Sequence, residues 1–249
     1  MRLYLVDAFA RSAFTGNTAG VVLLDAPADP DWMQAVAAEL KHSETAFVEV
    51  GGEGPLPLRW FTPQTEVDLC GHATLATAHV LGGNQIFTTR SGELRCTTEG
   101  GWVSMDFPAD VPVEAAIDVG IEGAKFVARG VRDILIVVSD AAEVRELKPD
   151  FAALARLDAR CVIVTALGDV AGVDFVSRVF APAVGIDEDP VTGSAHCTLA
   201  PYWAERLGSN KLVGEQVSQR GGIVRVSVEG DRVHLAGQAV TIASGELCI

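Results

Sequence analysis

The chain has 249 residues, with 19 Lys and Arg against 33 Asp and Glu and a formal net charge of -14. A field of that sign repels phosphate backbones and anionic lipid, which argues against nucleic acid and membrane as partners, and no apolar run reaches the roughly 18 residues of a membrane span. At 49% apolar and 21% charged residues, the composition is that of a folded chain able to form one large domain or two modest ones.

In chain order, Arg2 to Phe9 reads as a strand, Thr15-Gly16-Asn17 as a turn and Ala19 to Leu24 as a second, β-branched strand paired with the first. The opening MRLYLVDAFA lacks the apolar core of a signal peptide, so a cytoplasmic location is expected. Asp29-Pro30 is a helix start, a capping side chain followed by a proline in the first turn, with Trp32, Val36, Ala37 and Leu40 as the apolar face. The polar residues His42, Ser43 and Glu44 then lead into an apolar strand, which places the Glu44 carboxylate at a core edge. Leu58, Trp60 and Thr62 alternate with Arg59 and Phe61 as in a strand ended by Pro63, and from Gly71 the pattern turns helical up to Gly82-Gly83. Ile86 to Thr89, Glu93 to Thr98 and Trp102 to Asp106 predict a meander, and Pro108 to Pro112 the link between two lobes.

The second half repeats the style. Asp133 to Val138 reads as a buried strand, Asp150 to Arg156 as a short helix, and Cys161 to Thr165 and Val173 to Phe180 as strands. A second glycine-led helix runs from Gly193 to Gly208, followed by a hairpin around Glu229-Gly230-Asp231 and a last strand from Val240 to Glu246. Strand-rich segments around one long helix per half predict an α+β fold in which each helix is wrapped by a curved sheet, with lobes over residues 1–110 and 111–236. A dinucleotide-binding fold is excluded because neither glycine turn carries GxGxxG and the strands do not alternate regularly with helices.

Chemistry is expected where the two central helices begin. Unpaired N–H groups and the positive end of the helix dipole receive a carboxylate or an enolate oxygen there. Two such tips facing each other would enclose a polar pocket between similar lobes. Glu44, if held in apolar surroundings, suits a general acid or base, and His72, at a helix start that disfavours its charged form, suits a neutral partner. The bland readings are a strand-edge glutamate and a structural histidine. Asp189 and Ser194 flank the second glycine turn, where capping alone would account for both. Asp68, Cys70 and His72 alternate and would share a face of an extended segment, yet one Asp, one Cys and one His make a poor metal set without a fourth ligand, so no metal is expected. Cys70 at a helix start is also a candidate base or nucleophile, whereas its counterpart position holds Thr192, so a two-thiol racemase is not expected. The five cysteines are far apart and odd in number, which disfavours a disulfide framework. His42, His79, His196 and His234 read as structural or surface residues, and Cys197 as packing.

Taken together, Asp7-Ala8-Phe9, Gly16-Asn17, Ser43 to Phe47, Phe61-Thr62-Pro63, Glu66 to Thr74, Asp189 to Ala195 and Gln219 to Gly222 make the chain resemble, over essentially its whole length, the phenazine-biosynthesis PhzF-like isomerases of the diaminopimelate epimerase-like superfamily. The resemblance implies two pseudo-symmetric lobes, each a sheet rolled around a central helix, an active site in the cleft between them, and a last strand, about 237–249, that returns to the first lobe. It places the acid/base glutamate at Glu44 and the other catalytic residues at His72, Asp189 and Ser194. Gly71, Ala73, Gly193, Ala195, Asn17 and Cys70 would line the substrate. It also implies proton transfer or a double-bond shift on a small carboxylated metabolite without coenzyme or metal, and a homodimer. Thr18 departs from the proline that commonly follows Gly-Asn in the family. The rival readings are a racemase or epimerase using Cys70 and a non-catalytic metabolite-binding or interaction protein.

Overall fold

The computed structural model describes residues 1–52 and 54–249, and the chain packs as two compact units, Met1–Asp106 with Ala236–Ile249 and Phe107–Leu235. The first unit opens with β1 (Arg2–Ala8), β2 (Asn17–Leu24), α1 (Pro30–Leu40), β3 (Glu44–Glu49), β4 (Leu56–Phe61) and the short β5 (Glu66–Val67). It continues with α2 (Gly71–Leu81), β6 (Asn84–Thr89), β7 (Gly92–Glu99) and β8 (Trp102–Pro108). The sheet is mixed: β1 lies antiparallel to β2, β2 parallel to β3, β3 antiparallel to β4, β4 parallel to β6, and β6, β7 and β8 form the expected meander.

The two helices of this unit take opposite faces of that sheet. Met33, Val36 and Ala37 of α1 pack on Val22, Leu24, Phe47 and Phe61, with Phe47 and Phe61 edge to face at 5.6 Å. Asp29 caps α1 by accepting from the N–H groups of Asp31 and Trp32. α2 packs against β1, β2, β3, β6 and β7, and every residue from His72 to Ala78 is buried. A helix enclosed on all sides must be apolar or small all round, and α2 meets that condition with alanines and with threonines whose hydroxyls bond back, Thr74 to the Cys70 carbonyl and Thr77 to the Ala73 carbonyl. Coverage on both faces is also why β2 reads as a continuous apolar run instead of an alternating one.

The second unit holds β9 (Val113–Glu114), β10 (Phe126–Arg129), β11 (Ile134–Val137), α3 (Ala141–Glu146) and α4 (Phe151–Leu154). Then come β12 (Val162–Leu167), β13 (Phe175–Ala181), β14 (Ile186–Asp189), α5 (Gly193–Leu207), β15 (Lys211–Gln216), β16 (Gly222–Glu229) and β17 (Arg232–Gly237), whose last two residues already belong to the first unit. β11 and β12 are parallel, as are β13 and β15, and β12–β13 and β15–β16 are antiparallel. One face packs under α3 and α4 in a cluster of Ile134, Ile136, Val144, Leu154, Val164 and Phe180, and α5 packs against β15 and β16. The chain returns to the first unit as β18 (Ala239–Glu246), antiparallel to β1 from Arg2↔Glu246 to Ala8↔Ala239.

The segment expected as a link is held fast. Pro201, in the middle of α5, has no N–H to give the carbonyl of Cys197 four residues back, and that carbonyl accepts the N–H of Asp110 instead, at 3.0 Å. The Asp110 carboxylate then accepts from the Thr198 hydroxyl at 3.0 Å and the Val131 N–H at 2.9 Å. Among the described residues, no helix is long and apolar enough to cross a membrane.

Candidate active site

Parallel pairing of β2 with β3 sets Ala19 beside Glu44, so the starts of both strands, with Asn17 and Glu44, lie at the same end of the sheet. α2 starts there too, with Cys70 as its N-cap residue, whose side chain makes no cap bond. His72, in the first turn, is where these elements converge. Its Nε2 lies 3.2 Å from Glu44 Oε2, an approach too oblique for a hydrogen bond but within ion-pair distance. Its Nδ1 lies 3.4 Å from Asn17 Nδ2 and 3.5 Å from Cys70 Sγ. Asn17 Oδ1 accepts from the Ser43 hydroxyl, so Asn17 presents its amide hydrogens to Nδ1. Nδ1 is then an acceptor, and a neutral ring carries its proton on Nε2, facing Glu44.

Burial decides the charge of that ring. The Glu44 carboxylate alone would favour the imidazolium, but His72 is 6% exposed, and loss of hydration pulls its pKa down to about 4. The neutral histidine expected from the helix start is found, with burial as the cause. Glu44 keeps 14% of its side chain exposed, while the carboxylate oxygen that faces His72, Oε2, is buried.

Asp68 does not join this group. Its side chain is 77% exposed beside Arg90, and the clustered acid, thiol and imidazole are Glu44, Cys70 and His72, whose ligand atoms lie within 4.8 Å of one another. Shared alternation therefore does not predict a shared face here, because β5 ends at Val67 and the chain turns before α2. An open hollow of about 380 Å³ sits at the other end of β3, lined by Asp25, Glu49 and prolines. Two carboxylates make it a poor receptacle for an anion, and it is not the candidate site.

The other expected residues lie in the second unit at the start of α5. Thr192 is the N-cap residue, yet its hydroxyl turns away from the helix and donates to Asp189 Oδ2 at 2.5 Å. The N-cap residue is Thr192, which makes no side-chain cap bond, and Ser194 sits one residue inside the first turn, so neither Asp189 nor Ser194 holds the N-cap position. Gly193 and Ala195 are buried and Ser194 is half-buried. Gln216, which sequence reasoning missed, is fully buried and binds this turn at both ends, accepting from the Thr192 N–H at 2.9 Å and donating to the Asp189 carbonyl at 2.7 Å. Nothing in the local sequence KLVGEQ signals it, because a polar residue at the end of a strand that already carries Lys211 and Glu215 is ordinary. Ser218 adds a bond from its hydroxyl to the Pro190 carbonyl at 2.7 Å and accepts from the Gly221 N–H at 3.1 Å, which ties the Gln219–Gly222 motif to the same turn.

The departure at Thr18 has a local reason. Its hydroxyl donates to the buried Asp7 carboxylate at 2.6 Å, and Asp7 also accepts from the Phe14 N–H at 2.8 Å, so the loop between β1 and β2 is held by a side chain in place of a proline ring.

The family model described as phenazine biosynthesis-like protein, PhzC-PhzF, matches residues 6–245. The chain belongs to this family. It is 45% identical over 262 residues to an uncharacterized isomerase of Halalkalibacterium halodurans, covering 99% of this chain and 98% of that one. Another uncharacterized isomerase, from Pseudomonas aeruginosa, is 49% identical over 259 residues with the same coverage. A crystal structure of a PhzF family protein from Enterococcus faecalis superposes with a TM-score of 0.95 at 42% identity, covering 100% of this chain and 99% of the other. This PhzF-family chain is an isomerase of α+β fold.

Proposed function

We propose that this PhzF-family isomerase moves a proton, and with it a double bond, within a small carboxylated metabolite without a coenzyme, with Glu44 as the group that takes and returns the proton. The observation that carries the reading is the pairing of Glu44 with a neutral His72 at 3.2 Å. A carboxylate acting as base must not be trapped in a permanent ion pair, and a histidine kept neutral by burial leaves it free to take a proton at working pH. A carbon next to a carbonyl or π-system loses its proton to Glu44, and the electron pair moves onto the adjacent oxygen or along the π-system. Reprotonation at a second carbon by the same carboxyl group completes the shift.

The N–H groups at the start of α2, around Gly71 and Ala73, which the Cys70 side chain does not cap, suit the negative charge that builds up on the substrate. The start of α5 offers the same chemistry through Gly193, Ser194 and Ala195, with Asp189 beside it as an anchor for a polar substituent. Both features favour an anionic substrate despite the chain's net charge of -14.

The test is deuterium uptake, by mass spectrometry, into a pool of carboxylated metabolites incubated in D2O. Wild type labels one compound, and Glu44→Gln lowers the rate by about 100-fold or more, the usual weight of a general base. Equal labelling by both proteins would sink the reading. One observation favours a second reading: Cys70 Sγ lies 3.5 Å from His72 Nδ1, close enough to act as base in a racemization. Cys70→Ser separates the two, because it abolishes uptake only if the thiol takes the proton.

A further inference from the structure

Gln216 has its amide orientation fixed by two backbone groups. An N–H arrives at its Oε1 from Thr192 and a carbonyl receives its Nε2 from Asp189, so the amide cannot be flipped without facing like groups to each other. The second hydrogen on Nε2 then points to Thr192 Oγ1 at 3.3 Å. A hydroxyl that accepts from an amide must send its own proton elsewhere, and the partner in reach is Asp189 Oδ2 at 2.5 Å. The order of donation is therefore set from the buried end outward: amide to hydroxyl, hydroxyl to carboxylate.

We propose that Gln216 is a positioning residue that acts through Thr192 to hold Asp189 as an ionised hydrogen-bond acceptor, fixed in orientation beside the first turn of α5. Accepting from the Thr192 hydroxyl favours the ionised form of Asp189, which presents negative charge to a donor group of the substrate. The position that would carry a second thiol in a two-thiol enzyme is here occupied by a hydroxyl with a structural task, which explains why Thr192 is neither a base nor a cap. The assignment of a role in the reaction rests on the proposed function, whereas the state of the carboxylate does not.

Other charged and titratable groups face the same carboxylate. The Arg160 guanidinium and the Cys161 thiol interact with it, Arg160 is itself paired with the buried Asp133, and His196 Nδ1 donates to the Thr192 carbonyl at 2.9 Å. Next to Asp189, Glu188 is paired with Arg178 at 2.8 Å. All of these stay unchanged in the variants that follow, so a difference between them reports the hydroxyl and the amide.

The experiment is a titration of the Asp189 side-chain carboxyl by 13C NMR in protein labelled at aspartate, with the resonance assigned by Asp189→Asn. Thr192→Val keeps the shape and removes the hydroxyl; Thr192→Ser keeps the hydroxyl; Gln216→Met keeps the length and removes the amide. Thr192→Val and Gln216→Met each raise the midpoint by about one pH unit, a tenfold change in proton affinity, while Thr192→Ser leaves it within about 0.3 unit of wild type. A wild-type midpoint in Thr192→Val overturns the inference, and should Gln216→Met not fold, the two threonine variants decide it alone. In the D2O exchange assay, Thr192→Val is expected to lose about tenfold in rate and Thr192→Ser to restore it. Because the titration needs no substrate, exchange that is unaffected by Glu44→Gln would overturn the proposed function while the titration still judges the inference.

Discussion

His72 and His196 are both buried and neutral, each with its pKa drawn down to about 4, first of all by loss of hydration. In an unfolded chain the same side chains titrate near 6.5, so below that pH the unfolded state binds protons that the folded state refuses. Stability is thus complete above about pH 6.5, is lost as the pH falls from there to about 4, and levels off for these two groups below it. Each contributes about 3 kcal/mol across that window. Urea midpoints at pH 7, 5.5 and 4 check this, and His196→Phe, which replaces a ring whose Nε2 lacks a partner among the described residues, is expected to flatten the slope. At this scale the sequence was informative where a residue's neighbours in the chain create its environment, as for Asp29, which caps α1. It was silent where the environment comes from a distant strand: Gln216 is 24 residues beyond Thr192, and nothing near it in the chain signals that it closes the Asp189 turn.

Elements were legible wherever a breaker bounded an apolar period. Gly82 and Gly208 stop α2 and α5 where expected, and the meander and the last hairpin have the expected order. The short pieces β5, β9, β10 and β14 escaped because two to four residues carry no measurable period, β15 because its buried positions hold Leu212, Gly214 and Gln216, and α3 because its six residues present only Ala141 and Val144 to the core. Close packing between elements makes two substitutions informative. A Cβ on Gly237, at the end of β17, would stand 2.4 Å from Phe9 Cδ1 and 2.8 Å from Leu75 Cδ1, and Leu75 lies in the buried run of α2. Gly237→Ala is expected to cost about 1–3 kcal/mol in chemical denaturation, as overpacking does. Asp110→Ala removes the acceptor for Thr198 and for the Val131 N–H, and a loss of about 1–3 kcal/mol is expected from the groups left unpaired. If Pro108–Pro112 were a loose tether, Asp110→Ala would leave the denaturation midpoint unchanged.

The fold class was readable from the order of long elements, and the residues of the candidate site from motifs that gain their meaning in combination. The net charge of -14 acts on the whole molecule and opposes the approach of any carboxylated substrate. Raising the ionic strength from about 0.01 to 0.15 M shortens the screening length from about 30 to 8 Å, so KM for such a substrate is expected to fall with added salt at unchanged kcat. A KM that rises instead would mean that local positive potential dominates the approach. The pairing of β1 with β18 also bears on biosynthesis. Residues 107–235 form the second unit from one continuous stretch, whereas the first unit is made from both sides of it. On a ribosome the second unit has its whole chain before the first has its border strand, so the part of the protein that carries Glu44 and His72 is translated early and closed late. Nascent chains arrested before Ala239 would therefore leave the edge of β1 open to solvent and to chaperones, while their second unit already resists protease.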